Sequence, residues 1–241
     1  MFLKKAHVPC ILLGLLWSFN SYANFASTDF VRASLDALHA DFNRKINESN
    51  LNTNVSITNL QQHIITHNIG EIFQGGIIFY LDKSQQHGLM ASLEDLLDAG
   101  IEWRNGEAGD RTVNAKSKGL GSGETNTRLI IAEQTIDDQE GQFAASIAAN
   151  YQITADGKTS CKAAMTAQEV CFGGWYLPSA YELLLLYTSL KQQGLGDLAD
   201  APYWSSSEDS TTEAWLIDFS DGQAQVSEKS NLARIRAIRS F

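Results

Sequence analysis

Proline is scarce in this chain, with 3 in 241 residues, and the 18 glycines follow no Gly-x-y period. A collagen-like triple helix and a Pro-rich mucin-like stalk are therefore excluded. Basic residues are also few: 18 Lys+Arg stand against 28 Asp+Glu, a formal charge of −10. Phosphate affinity comes from clustered cations, so this composition argues against a nucleic-acid binder. No apolar run has the ~20 residues a helix needs to span a bilayer. The 3 cysteines include no Cys-x-x-Cys pair, which removes the commonest redox and zinc signatures. What is present is ordinary for a globular chain, 44% hydrophobic and 19% charged residues, too apolar for intrinsic disorder. One or two soluble domains are expected.

Lys4 and Lys5 precede an apolar stretch from Val8 to Phe19, and Ser21-Tyr22-Ala23 follows with small residues. This is the pattern of a Sec-type signal peptide over residues 1–23, with the mature chain starting near Asn24. Cys10 lies inside the apolar stretch, not behind a lipobox, so a lipoprotein anchor does not fit. Export predicts an extracellular or cell-surface location, with the periplasm as an alternative. It leaves Cys161 and Cys171 where thiols oxidise, and a disulfide between them is the expected state. A redox or metal pair is the alternative, opposed by the ten-residue separation and the lack of a neighbouring His.

Residues 24–69 read as a helical, coiled-coil-like stalk. From Thr28 to His67 there is no Pro or Gly, and Thr28, Val31, Leu35, Leu38, Phe42, Ile46, Asn50, Thr53, Ile57, Leu60, Ile64 and His67 step by three or four. That spacing is the seam of a coiled coil and predicts a homo-oligomer. Two successive four-residue steps from Phe42 to Asn50 make a stutter, and Asn50 would set register. Ile57 and Ile64 alternating with Leu60 lean toward a trimer. The same polar stretch also suits a linker, or two short helices packed back on the domain.

From residue 70 the texture changes to short apolar runs punctuated by Gly. Gln74 to Leu81 reads as a buried strand, Gly88 to Ala91 as its partner, and Ser92 to Asp95 as a short capped helix. Asn105 to Thr125 holds five glycines and reads as a long surface loop. Helices are expected over Thr127–Thr135 and Gly141–Tyr151. A further helix after Pro178 would have Ser179 as N-cap and Glu182 completing a capping box. The last forty residues read as strands Tyr203–Ser207, Ala214–Phe219, Gln223–Glu228 and Ala233–Arg239, with a two-residue turn at Asp221-Gly222. The predicted class is α+β, an antiparallel sheet with packed helices.

Gly75-Gly76-Ile77-Ile78-Phe79-Tyr80, Gln86-His87-Gly88-Leu89, Trp175-Tyr176-Leu177-Pro178-Ser179, Tyr203-Trp204-Ser205-Ser206-Ser207, Asp218-Phe219-Ser220-Asp221-Gly222 and Arg234-Ile235-Arg236-Ala237-Ile238-Arg239 occur in this order. Together they resemble the DUF1566 domain, the C-terminal domain of Legionella collagen-like adhesins. The resemblance spans residues 70–241 and implies a C-type-lectin-like fold, related in shape to the formylglycine-generating enzyme domain. It also implies display outside the cell, frequent trimers and, in some members, binding of host glycosaminoglycans. This chain differs in having no Gly-x-y stalk and in being acidic, whereas sulfated polysaccharides bind through cation clusters.

Residues 205–207 show no Gly-x-Ser-x-Gly elbow, and His87 has no second His in the domain for zinc. Glu208, Asp218 and Asp221 lack EF-hand spacing, and neither Glu-Pro-Asn nor Gln-Pro-Asp occurs. No catalytic residue, cofactor or metal is therefore expected, and the chain reads as a non-enzymatic, adhesin-like binding module for a host or surface glycan or protein. The alternatives are a self-assembling structural surface protein without glycan binding and, third, an enzyme of the formylglycine-generating-like fold. Trp103, Arg104 and Asn105, beside the Gly-rich loop, are the candidate ligand contacts, with Trp103 expected to be exposed. Trp175 and Trp204 are expected in the core. Arg234, Arg236 and Arg239 read as sharing one strand face, either as an anion site or as structural ion pairs with carboxylates such as Glu182 or Asp218.

Overall fold

A computed structural model of the chain describes residues 28–62, 65–161 and 170–241. The expected signal peptide lies outside the described residues. The chain divides into two compact units, residues 1–64 and 65–241.

In the first unit, α1 (Thr28–Gln62) is one helix of 35 residues, about 52 Å long at 1.5 Å per residue. Arg44 pairs with Asp41 and Glu48, and Lys45 with Asp41, the three- and four-residue spacings at which helix side chains meet. Val31, Leu35, Leu38, Phe42 and Ile46 are 42–60% exposed. These five positions form an uncovered apolar stripe on the single chain, while the side chains of the further expected members Ile57, Leu60 and Ile64 lie outside the described residues. The last expected member of the seam departs from the pattern. His67 belongs to the second unit, where it is buried, stacks near Phe73 and Phe241 and meets Glu71 at 2.9 Å.

The second unit is α+β. Strands β1 (Ile72–Phe73), β2 (Gly76–Leu81) and β3 (Gly88–Ser92) pair antiparallel, and β9 (Ile238–Ser240) closes this sheet in the order β1-β2-β3-β9. A Cβ on Gly76 would lie 2.7 Å from Ala91 O and 2.9 Å from the Trp175 ring, so the β2–β3 approach requires glycine there. Helices α2 (Gly123–Gln134) and α3 (Ala144–Asn150) precede a two-stranded ladder, β4 (Ile153–Thr154) with β5 (Cys171–Phe172). Helix α4 (Ala180–Ser189) follows, then the meander β6 (Pro202–Glu208), β7 (Glu213–Asp218) and β8 (Ala224–Glu228).

The apolar run of β2 is covered on both faces, as an unbroken hydrophobic strand requires. Ile77 and Phe79 pack with Leu183, Leu186 and Leu190 of the α4 region. Ile78, one residue out of phase, joins Met90 in a second layer with Trp103, Trp175 and Trp204. Ser179 caps α4 as expected: its Oγ accepts from Glu182 N, and its own N donates to the Glu182 carboxylate.

Three local expectations are corrected. Ser92–Asp95 forms no helix, because Ser92 ends β3 and Asp95 is drawn to Arg234 and Arg236. The β7–β8 connection is longer than two residues: Asp218 N donates to Gln223 O, with Gly222 at φ 79° relieving the turn. The closing strand shrinks to β9, since Ala233 and Arg234 instead bridge singly to Ile101 and Tyr203. The Gly-rich loop is exposed over most of its length, as expected, and is anchored at Val113 and Ala115, which are fully buried in the tryptophan layer.

Cys161 and Cys171 form the expected disulfide, ten residues apart, with Cα atoms 6.0 Å apart. Closing so short a loop constrains the unfolded chain by about 2–3 kcal/mol. Reduction is expected to lower the urea midpoint accordingly, with no loss of the β6–β8 meander by hydrogen exchange.

Candidate functional site

The six predicted contact residues are, with one exception, consumed inside the fold. Trp103 is fully buried, not exposed; its Nε1 donates to Ser205 O at 2.8 Å, and Lys229 Nζ lies 4.7 Å from its ring centroid. Arg104 donates through Nε to Glu102 at 3.0 Å and also pairs with Asp110. Asn105 is buried and braces α2: its N donates to Gln134 Oε1 at 2.7 Å, and its Nδ2 to Gln134 O at 2.9 Å and Asp138 O at 2.8 Å. The half-exposed tryptophan is Trp215 on β7, under Lys118 Nζ at 3.7 Å from the ring centroid.

The three arginines do not share a face. Arg234 and Arg236, two apart, both reach Asp95, at 2.8 and 3.0 Å. Asp95 replaces the expected partners Glu182 and Asp218, and Tyr203 Oη donates to it at 2.7 Å. Arg236 is fully buried and also donates to Ser92 O, Gly196 O and Asp197 O. Arg239 is three residues from Arg236, so strand alternation turns it to the opposite side. There it lies 5.3 Å from the Phe172 ring centroid, and burial without a counter-ion lowers its pKa.

Two buried carboxylates, neither predicted as a ligand contact, hold the Gly-rich loop. Glu182 accepts from Gly121 N at 2.8 Å, Gly123 N at 3.1 Å and Ser179 N at 2.8 Å. Burial pushes its carboxyl up against these bonds. Glu208 accepts from Val113 N at 2.8 Å and Asn114 N at 2.9 Å. It also meets Lys229 Nζ at 2.8 Å with both side chains 0% exposed. Lys229 completes its three donor bonds on Arg111 O and Thr211 O. Sequence reasoning placed Glu182 correctly through its capping box, but Lys229, in a polar turn-like string, carried no signal of burial. Residues 205–207 are likewise internal: Ser205 Oγ donates to Trp215 O and Ser207 Oγ to Ser117 O.

Replacing Glu182 by Ala strands the buried N–H groups of Gly123 and Ser179, each costing about 1–3 kcal/mol to leave unpaired, and releases that of Gly121. Unfolding is expected at a markedly lower urea midpoint, with Glu182→Gln intermediate because it keeps an acceptor.

Surface carboxylates define the acid response. Hydrogen bonds from its own loop hold Asp156 well below the usual carboxylate range, and bonds from Ser84 and Ser220 lower Asp82 and Asp218. A lowered folded-state pKa supplies stability above the unfolded pKa and loses it as pH falls through the folded value. Melting temperature is therefore expected to fall progressively below about pH 4.

The open surface of the head has two adjoining clefts. One, of about 450 Å³, is walled by Glu94, Asn150, Tyr151, Gln152, Lys158 and Ser160 over Leu96 and Ile147. The second, of about 360 Å³, shares Glu94 and Asp95 and adds Asp98, Asp197 and Arg234. Among the described residues, no group of three or more His, Cys, Asp or Glu is placed to hold a metal, and no helix is long and apolar enough to cross a membrane.

No family model matches the chain, and no curated protein matches it. Among solved structures it is similar to a fimbrial protein from Bacteroides ovatus, at 15% identity and a TM-score of 0.43, over 69% of this chain and 44% of that one. The chain thus spans less than half the length of that protein.

Proposed function

We propose that the chain is an exported, non-enzymatic binding module: a C-type-lectin-like head, multiplied by an oligomeric helical stalk, that recognises a glycan or a protein outside the cell. The observation that carries this reading is the apolar stripe of α1, where Val31, Leu35, Leu38, Phe42 and Ile46 stay 42–60% exposed along one unbroken helix. Such a stripe is buried when helices of several copies supercoil, and Ile57 and Ile64 alternating with Leu60 further along the sequence lean toward a trimer. Weak single sites then gain from the number of copies. Antiparallel sheets flanked by helices are consistent with the lectin-like head, and the disulfide fits an oxidising compartment.

A second reading, a self-assembling surface protein without glycan binding, is favoured by one observation. Trp103, Arg104, Asn105, Arg234 and Arg236 all spend their polar groups inside the fold. Retention of the oligomer on immobilised glycans or on extracellular protein ligands separates the two. Retention on either supports the binding module, and an intact oligomer retained on none supports the assembly protein.

A further inference from the structure

We propose that the cleft between Glu94, the Asn150–Ile153 segment and the Gly157–Cys161 wall is a binding site for an uncharged saccharide. The proposal rests on reading the head as a binding module and gives that reading a location and a ligand class. The cleft volume of about 450 Å³ lies within the roughly 300–1,000 Å³ that hold small ligands.

Several polar groups lining this cleft are free to pair with a ligand, unlike those buried in the head. The Trp103, Asn105, Glu182, Glu208 and Arg236 side chains are paired internally. Around this cleft the side chains of Glu94, Asn150, Lys158 and Ser160 and the Tyr151 hydroxyl have no hydrogen-bond partner among the described residues. Together they offer acceptors, donors and an amide that is both, the set that pairs of sugar hydroxyls require. The Tyr151 ring is held edge-on to Trp175 at 5.2 Å, and with Leu96 and Ile147 it provides an apolar surface for the C–H face of a sugar ring.

The facing wall is rigid before any ligand arrives. Asp156 accepts from Thr154 Oγ1, Lys158 N, Thr159 N and Thr159 Oγ1, and the Cys161–Cys171 bridge anchors the wall's far end. A preformed wall reduces the ordering cost of binding. Charge then selects the class. Glu94 and Lys158 oppose each other in sign within the cleft, where Asp95 is already paired with Arg234 and Arg236, while the adjoining cleft adds Asp98 and Asp197 against the single cation Arg234, leaving carboxylates in excess along this face. A sulfated or carboxylated chain lying along this face meets carboxylates, and a neutral one does not.

The test uses the full mature chain, disulfide intact, on an array of neutral oligosaccharides printed beside heparin and sialylated glycans. Expected is retention on a subset of neutral sugars, falling at least about tenfold in Glu94→Ala/Asn150→Ala, the equivalent of ~1.4 kcal/mol. Tyr151→Phe, which keeps the ring, is expected to weaken retention less, and Lys118→Ala, beside Trp215, to leave it unchanged. Melting temperatures within a degree of the parent show that the variants fold. Neutral-sugar retention undiminished in both cleft variants overturns the site while leaving the binding-module reading standing. Retention on heparin alone overturns the ligand class. Retention on no saccharide overturns the proposal and leaves a protein ligand or the assembly reading.

Discussion

Replacing Lys229 by Ala is expected to lower the unfolding free energy of the head by about 3–5 kcal/mol, a large share of a typical domain's total. The side chain is fully buried with Glu208, and the substitution removes the one cation that the Glu208 carboxylate touches among the described residues. The carboxylate would keep two N–H donors, from Val113 and Asn114, which do not balance a charge in a water-free site. The loss also frees Arg111 O and Thr211 O, the ends of two loops that Lys229 ties together. Breaking a buried pair costs far more than removing it whole. Lys229→Met with Glu208→Gln is therefore expected to recover part of the stability. Urea denaturation of the three variants checks this, and a single variant as stable as the parent would show that the pair is not what closes the loop.

The second large effect concerns the stalk. On the proposed assembly through α1, Leu38→Asp with Phe42→Asp, at positions 59% and 60% exposed in the single chain, is expected to reduce the molar mass of the protein to that of one copy. An isolated helix of this composition is marginal in water, so helical ellipticity should fall with it. Retention on a multivalent surface should drop by about 10²–10⁴, the gain that several linked copies provide, while single-site affinity stays unchanged. Light scattering with surface and solution binding separates these quantities. An oligomer that survives the double substitution would remove α1 as the assembling element.

Much of the architecture was legible in the chain because the signals were local. The capping box at Ser179 and Glu182, the unbroken apolar run of β2 and the three-and-four spacing of α1 each depend on residues within a few positions of one another. The pairing of Cys161 with Cys171 followed from their being the two cysteines of the expected domain. The placement of Trp175 and Trp204 in the core was equally plain from the apolar motifs around them.

The candidate site was not legible, because most of its residues are sorted by partners distant in sequence, 102 positions for Trp103 and 139 for Arg234. Trp103, Arg104 and Asn105 sit beside a glycine-rich, polar string that locally resembles a surface loop. Only the fold brings Ser205, Glu208 and Lys229 against that string and buries its anchor points at Trp103, Val113 and Ala115. Arg234 and Arg236 carried a charge pattern, yet Asp95, which absorbs both, comes from the far end of the domain. The cleft at Tyr151 had no sequence signature, since it arises where three separate segments fail to pack against each other.

The order of residues by itself determined the class of fold, the long helix, the cap of α4 and the cysteine bridge, for these follow from periodicity and nearest neighbours. Tertiary structure alone decided which polar groups are spent on the protein and which remain for something else. Hydrogen bonding and desolvation depend on what is close in space, and for Trp103, Asp95 and Lys229 the nearest partners are distant in sequence.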